Sequence, residues 1–139
     1  MTIEELHKIL SKGESLHLEF KEAKVKVPNN FYDTVVSFLN REGGTIIQGV
    51  NDDGVITGID KNAVDQLKKD IVTALNNKDV INPPVNFPIY QLEDKGLIIL
   101  YVKIPVSSRI HSHDGIIYDR ENDSDIRIIF QKTKPFYRE

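Results

Sequence analysis

The apolar residues at the beginning of the chain recur at helical spacing and predict a first helix. Thr2 and Glu5 form a capping box, in which each side chain can bond the other's backbone amide. The apolar residues that then share one face are Ile3, Leu6 and Leu10. Gly13 is typical of a residue that ends a helix. We therefore expect a helix between Thr2 and Gly13 with one buried face.

Strict alternation replaces this spacing between Ser15 and Lys21 and predicts a half-buried strand. The apolar residues of that segment fall on one side: Leu16, Leu18 and Phe20. A second helix is predicted over residues 31–40, where apolar residues return to helical spacing: Phe31, Val35, Phe38 and Leu39. We expect Gly43 and Gly44 to end it.

Two further pairs of apolar runs predict hairpins. The runs TIIQGV and VITGI are short and β-branched, and the turn-forming residues Asn51 to Gly54 lie between them. The runs VNFPIYQLE and LIILYVKIP flank Glu93 to Gly96 in the same way. Between the hairpins, Asp60 can cap a third helix, whose apolar face is Val64, Leu67, Ile71, Ala74 and Leu75.

The order of these elements predicts an α+β fold. Two hairpins favour antiparallel pairing, so we expect a mixed, mainly antiparallel sheet with helices packed against it. The runs GIIYDR and DIRIIF predict two shorter strands near the end. We place one domain over residues 1–130 and expect the polar and aromatic tail, residues 131–139, to be a linker to a further region.

The size and composition fit a single domain with its own core. A chain of 139 residues can bury about two thirds of its unfolded surface. It contains no cysteine, which excludes disulfides and cysteine-ligated metals and fits a reducing compartment. No apolar run is long enough to cross a membrane, and no signal-peptide core is visible, so we expect a cytoplasmic protein. A net charge of −3 does not indicate a dedicated nucleic-acid binder.

Several carboxylates are candidates for a metal site: Glu14, Glu19, Asp52 and Asp53. They could converge if the first strand lies beside the first hairpin, and clustered carboxylates can hold Mg²⁺ or Mn²⁺. Glu14 and Glu19 are an odd number of residues apart, so they share a side only if the chain turns at Gly13-Glu14. The residues alone favour a local explanation, in which Glu19 is a solvent-facing carboxylate paired with Lys21 or His17 and the aspartates form a turn.

Other chemistry finds less support in the sequence. No lysine follows Gly49, Gly54 or Gly58 as a phosphate-binding loop requires, so ATP binding is the least favoured function. His111 and His113 lack a third zinc ligand, and we expect them in a solvated loop. No serine or cysteine nucleophile constellation is visible. Cations interleaved with aromatic residues form either a phosphate-binding strip or an ordinary charged surface: Arg109, Arg120, Arg127, Lys132, Lys134 and Arg138.

A series of short motifs occurs in order between residues 10 and 127. In the first half they are Glu14, Glu19-Phe20-Lys21, Phe38, Asn40, Gly43-Gly44, Gly49-Val50, Asp52, Gly54 and Gly58. In the second half, more loosely, they are Pro105, Ser107, Tyr118 and Arg120. This series resembles the Schlafen-type AlbA-2 domain.

The resemblance implies an Alba-like α+β sandwich and a role linked to nucleic acid. Bacterial members usually stand at the N-terminus of transcriptional regulators and are described as DNA-binding, and sometimes as ATP-binding. Some animal members cleave structured RNA with three carboxylates. Two of these correspond to Glu14 and Glu19, and the third to Asn51, whose neutral amide binds a divalent cation less strongly than a carboxylate.

We therefore predict a nucleic-acid-binding module, with DNA as the expected ligand, in a regulator of bacterial type that needs no cofactor. Its predicted phosphate contacts are Lys21, Lys24, Lys26, Arg109, Arg120 and Arg127. The first alternative is an endoribonuclease that uses Mg²⁺ or Mn²⁺ held by Glu14, Glu19 and, after a one-residue shift in the hairpin, Asp52. The second is a protein-interaction or dimerisation module whose surface is its sheet edges, with a homodimer as one expected assembly.

Overall fold

The computed structural model describes residues 1–129, so the predicted tail at residues 131–139 lies outside the described residues. Three α-helices and eight β-strands are present within them. The helices are α1 (Ile3–Lys12), α2 (Asn30–Asn40) and α3 (Val64–Leu75). The strands are β1 (Leu18–Lys21), β2 (Gly44–Gln48), β3 (Ile81–Asn82), β4 (Tyr90–Asp94), β5 (Leu97–Ile104), β6 (Ser112–His113), β7 (Tyr118–Glu121) and β8 (Ser124–Arg127).

The central sheet is mixed and mainly antiparallel, as predicted. Its strand order is β1-β2-β5-β4, in which β1 and β2 run parallel and the other two pairs are antiparallel. Two small antiparallel pairs, β3–β6 and β7–β8, lie outside it. The α+β fold class is confirmed. In the described part of the chain, no helix is both long and apolar enough to cross a membrane.

Helices cover the central sheet on its two faces. On one face, α1 buries Leu6 and Leu10 against side chains of the sheet, including Phe20, Ile47 and Ile99. On the other face, α2 and α3 share a larger core with neighbouring strand residues, including Ile46, Ile98, Leu100 and Val102. Strand residues alternate between these two cores because successive side chains point to opposite faces of a sheet.

The predicted second hairpin is confirmed, and so is the Thr2 half of the predicted capping box. The Glu5 carboxylate accepts a bond of 3.2 Å from the Thr2 hydroxyl instead of one from the Thr2 amide. The Thr2 hydroxyl accepts a hydrogen bond of 3.1 Å from the Glu5 amide, and α1 ends before Gly13. The β4–β5 hairpin turns through Lys95 and Gly96, both with positive φ. Such two-residue turns match the twist of antiparallel strands, so the local sequence is sufficient to set this hairpin.

Three predicted boundaries differ from the structure. The first strand begins at Leu18 rather than Ser15, because the backbones of these two residues bond each other across a turn. The first predicted hairpin is reduced to a single bridge between Val50 and Ile56. Helix α3 begins at Val64 because the Asp60 carboxylate accepts a bond of 2.9 Å from the Asn62 amide, which closes a turn before the helix.

Candidate functional site

The turn before β1 brings Glu14 and Glu19 together. Backbone bonds between Ser15 and Leu18 reverse the chain. Glu14 then reaches the open edge of β1, where it accepts a hydrogen bond of 2.9 Å from the Phe20 amide. Its carboxyl group lies within hydrogen-bonding reach of the Glu19 carboxyl group. Their odd spacing in sequence predicted that a turn is needed to bring these two side chains together. The turn is present, but it lies at Ser15–Leu18 rather than at Gly13-Glu14.

Arg120 fills the inside of this turn. Its guanidinium donates to Glu19 Oε1 over 2.8 Å and to Asp125 Oδ1 over 2.9 Å. It also donates to the carbonyl oxygens of Ser15, at 2.8 Å, and Leu18, at 3.3 Å. The side chain has 0% exposure, so a phosphate group cannot contact it. The prediction of Arg120 as a phosphate contact is therefore corrected: its charge is needed to neutralise buried carboxylates.

Lys21 belongs to the same buried cluster. Its ammonium lies 3.6 Å from Glu19 Oε2 and donates to Asn30 Oδ1 over 3.2 Å. The residue is only 8% exposed. Glu19 does pair with Lys21, as the sequence favoured, but the prediction that Glu19 faces solvent is wrong, because its side chain is only 12% exposed. The prediction of Lys21 as a phosphate contact is corrected for the same reason as that of Arg120.

Burial changes the protonation of Glu19. Loss of solvent raises its pKa from 4.5 to about 7, and the neighbouring Glu14 carboxyl group adds to this rise. Lys21 and Arg120 act in the opposite direction by favouring the charged form. As a result, Glu19 keeps its proton up to a pH near neutral.

The third predicted carboxylate does not join this pair. The Asn51 side chain accepts hydrogen bonds of 3.0 Å from the amides of Asp53 and Val55, so it shapes the turn after β2. Asp52 is exposed in that turn. Among residues 1–129, no three side chains of His, Cys, Asp or Glu form a group that could hold a metal ion. The predicted trio of Glu14, Glu19 and Asp52 is therefore not assembled, and the local explanation of the aspartates agrees with the structure.

The other four predicted phosphate contacts are exposed: Lys24, Lys26, Arg109 and Arg127. Lys24 and Lys26 lie in the loop between β1 and α2, where the Lys24 ammonium donates to the Thr57 carbonyl over 2.7 Å. Arg109 lies between β5 and β6, and Arg127 ends β8. All four side chains therefore keep access to solvent.

The two histidines predicted to lie in a solvated loop are buried, each with 3% exposure. His113 lies 2.6 Å from the Asp33 carboxylate of α2. His111 lies 2.7 Å from the Ser107 hydroxyl and 2.7 Å from the Pro83 carbonyl. The prediction failed because both rings find hydrogen-bond partners on distant segments, which the sequence does not show.

Sequence reasoning also missed Thr34 and Asp125, which complete the buried cluster. The Thr34 hydroxyl donates to Asp125 Oδ2 over 2.6 Å and thereby fixes β8 to α2. At the end of α2, Arg41 makes a bidentate ion pair with Asp119 of β7. This contact lowers the pKa of Asp119. The only sequence sign of these contacts is that cations and carboxylates occur in both segments.

The fold and this cluster define a class of protein: an α+β sandwich whose edge strand is held by an internal arginine. The sequence model of the family described as Schlafen, AlbA_2 matches residues 14–128. The chain belongs to this family. The match includes both glutamates and the whole β7–β8 hairpin.

Two solved structures share the fold. One is the DIP2311 protein of Corynebacterium diphtheriae, at 21% identity and a TM-score of 0.63, where the match covers 91% of this chain but only 26% of that protein. The other is the N-terminal domain of a Nitrosomonas europaea protein named as related to the ATP-dependent DNA helicase RecG, at 19% identity and a TM-score of 0.57, with 94% of each chain covered. No curated protein matches the chain.

Proposed function

We propose that this chain is a nucleic-acid-binding module, that its ligand is DNA, and that it serves a regulator of transcription. The observation that carries the proposal is the family match over residues 14–128. It is supported by the shared fold of a domain from a protein named for its relation to a DNA helicase. The proposed role in a regulator of transcription rests on the family alone, because the match covers only 26% of the length of the first solved relative.

The phosphate contacts are assigned to the exposed cations Lys24, Lys26, Arg109 and Arg127. Lysine and arginine side chains bind phosphates largely by releasing the counterions condensed on the nucleic acid. The affinity should therefore fall as the salt concentration rises. In a plot of the logarithm of the binding constant against the logarithm of the salt concentration, each neutralised phosphate of duplex DNA adds about 0.9 to the downward slope. Lys21 and Arg120 are excluded from this set because their charges are already paired with Glu19.

Fluorescence anisotropy with a labelled DNA duplex tests the proposal. We expect Lys24→Ala combined with Lys26→Ala to weaken binding and to lower the salt slope by about 2. Lys69→Ala is the matched control, because Lys69 is an exposed lysine on α3, away from the proposed contacts in sequence. An affinity that does not change between low and high salt contradicts nucleic-acid binding by this module.

The choice of DNA is tested with an RNA duplex and a single-stranded RNA of the same sequence. Tighter binding of RNA contradicts the proposed ligand. The regulatory role requires preference among DNA sequences, so selection from a random duplex library should enrich a common motif. A bound pool that is identical in composition to the input contradicts a sequence-reading regulator.

The same protein preparations separate the two alternatives. RNA cleavage in Mn²⁺ by the wild-type protein but not by Glu19→Gln would establish the endoribonuclease instead. A concentration-dependent dimer that binds no nucleic acid would establish the interaction module. The endoribonuclease has less support than binding, because Glu19 is in contact with Arg120 and Lys21. The predicted third carboxylate, Asp52, does not join Glu14 and Glu19, and no metal-holding group of three such side chains occurs among residues 1–129.

A further inference from the structure

A serine and a histidine are hydrogen-bonded to each other in the wall of a cavity on the α2 and α3 side of the molecule. The cavity has a volume of about 360 Å³, near the lower end of the range for small-molecule sites. Its polar lining includes Ser107, Arg109 and His111, and its apolar walls include Leu39, Val85, Phe87 and Pro105. It is separate from the carboxylate pair at β1.

The hydrogen bonds of His111 determine which ring nitrogen carries the proton. Nδ1 lies 2.7 Å from the Pro83 carbonyl oxygen, which can only accept, so Nδ1 is the donor. In the neutral ring, Nε2 then has a free lone pair, and it lies 2.7 Å from the Ser107 Oγ atom. The Ser107 hydroxyl must therefore point its hydrogen at the imidazole.

A second bond fixes the Ser107 hydroxyl in the same direction. Its oxygen accepts a hydrogen bond of 3.1 Å from the Arg109 amide, which leaves its hydrogen for His111. Nucleophile and base are thus within direct reach, and a third group orients the base. Here that third group is a neutral carbonyl instead of a carboxylate, which stabilises an imidazolium less and predicts slow turnover.

The backbone around both residues is anchored to the end of α2. The Ser107 amide donates to the Leu39 carbonyl over 2.8 Å. The Asn40 side chain holds His111 from both sides, accepting from its amide at 2.8 Å and donating to its carbonyl at 2.9 Å. Such support preorganises a reactive pair, since the geometry no longer depends on the loop alone.

We propose that Ser107 is a nucleophile activated by His111, and that the cavity accepts esters with a short apolar acyl chain. Ser107 Oγ bonds to the carbonyl carbon, and its proton passes to His111 Nε2. The bond to the alkoxide breaks, and His111 returns the proton to the leaving alcohol. Water then hydrolyses the acyl-serine by the reverse route. The exposed guanidinium of Arg109 is available to the negative charge that develops on the carbonyl oxygen.

Labelling with a small alkyl fluorophosphonate tests the nucleophile. Ser107 Oγ should bond to phosphorus with loss of fluoride, and tandem mass spectrometry of the tryptic fragment 104–109 should place the adduct on Ser107. Ser107→Ala should abolish the adduct, whereas Ser108→Ala, the exposed neighbour, should retain it. No adduct on the folded wild-type protein, or an equal adduct on Ser108, overturns the proposal.

The role of His111 is tested in two independent ways. His111→Gln should lower the labelling rate by about tenfold or more, because the general base is lost. Labelling at the wild-type rate by the folded variant overturns the activation. Should His111→Gln fail to fold, long-range ¹H–¹⁵N correlation spectra of the wild-type protein report the tautomer directly. The proposal requires the proton on Nδ1, and a proton on Nε2 of the neutral ring overturns it.

Discussion

Arg120 Nη1 donates a hydrogen bond of 2.8 Å to Glu19 Oε1 and so joins β7 to the edge strand β1. The same guanidinium holds Asp125 of β8 and the carbonyl of Ser15. One side chain thus connects the β7–β8 hairpin, the turn before β1 and the carboxylate pair. The hairpin is not part of the central sheet, and these polar contacts hold it together with its hydrogen bonds to Thr34 and Asn40 of α2.

Replacing Arg120 should strongly destabilise the fold. Arg120→Met leaves the carboxylates of Glu19 and Asp125 without their buried cation, and breaking a buried ion pair from one side costs about 3–5 kcal/mol. The free energy of unfolding, measured by urea denaturation at pH 8, checks this value. Arg127→Met is the control, because Arg127 is exposed and should change stability by only about 0.5 kcal/mol. Equal losses in the two variants would show that the hairpin does not depend on Arg120.

The raised pKa of Glu19 makes a specific contribution to the pH dependence of stability. Its pKa is about 7 in the folded protein against an ordinary value of 4.5. Between these values the folded protein keeps a proton that the unfolded chain has lost. The contribution of Glu19 therefore falls as pH rises through this window, by at most about 1.4 kcal/mol per pH unit, and is constant above it.

Urea denaturation at several pH values from 4.5 to 8 measures this slope. Glu19→Gln should remove the falling component, because the amide does not titrate in this range. Glu93→Gln alters an exposed carboxylate on β4 and should leave the component unchanged. A wild-type curve and a Glu19→Gln curve that run parallel across the window would contradict a raised pKa at Glu19.

Most of the fold could be predicted because it depends on local patterns. The capping box at Thr2, the periodic apolar face of α2 and the Lys95-Gly96 turn are each encoded within a few residues. The mixed, mainly antiparallel sheet followed from the hairpins. Errors occurred where a short segment is compatible with more than one backbone conformation. At Ser15–Leu18, a turn replaces the first part of the predicted strand.

The candidate site could be predicted only in part, because its contacts cross large distances in sequence. Glu19 and Arg120 are 101 residues apart, and Thr34 and Asp125 are 91 apart. The sequence shows that these charges exist, but not which of them are buried together. For this reason the sequence alone predicts phosphate contacts for Lys21 and Arg120, although both side chains pair with Glu19 in the fold. The Ser107–His111 pair was missed because a spacing of four in a loop has no diagnostic value by itself.

Asn51 should be replaceable by aspartate but not by alanine. Its side-chain oxygen accepts bonds from the amides of Asp53 and Val55, and an aspartate oxygen can accept the same bonds. We expect Asn51→Ala to cost about 1–2 kcal/mol of stability through two lost hydrogen bonds, and Asn51→Asp to cost much less. Urea denaturation measures the free energy of unfolding of both variants. Asp52→Ala is the control, because Asp52 is an exposed residue of the same turn. A larger loss for Asn51→Asp than for Asn51→Ala would mean that the bonds at this position do not shape the turn.

Gly54 should tolerate a side chain less well than Gly115, although both have positive φ, at 78° and 79°. A Cβ atom at Gly54 would lie 2.7 Å from the Leu10 carbonyl oxygen, whereas one at Gly115 would meet nothing within 4 Å. Both alanine variants carry the cost of a left-handed backbone, about 1–2 kcal/mol. Only Gly54→Ala must also displace the end of α1 from the sheet. Its unfolding free energy should therefore be lower than that of Gly115→Ala, and amide hydrogen exchange in α1 should be faster. Equal stability and equal exchange in the two variants would show that α1 does not rest on this turn.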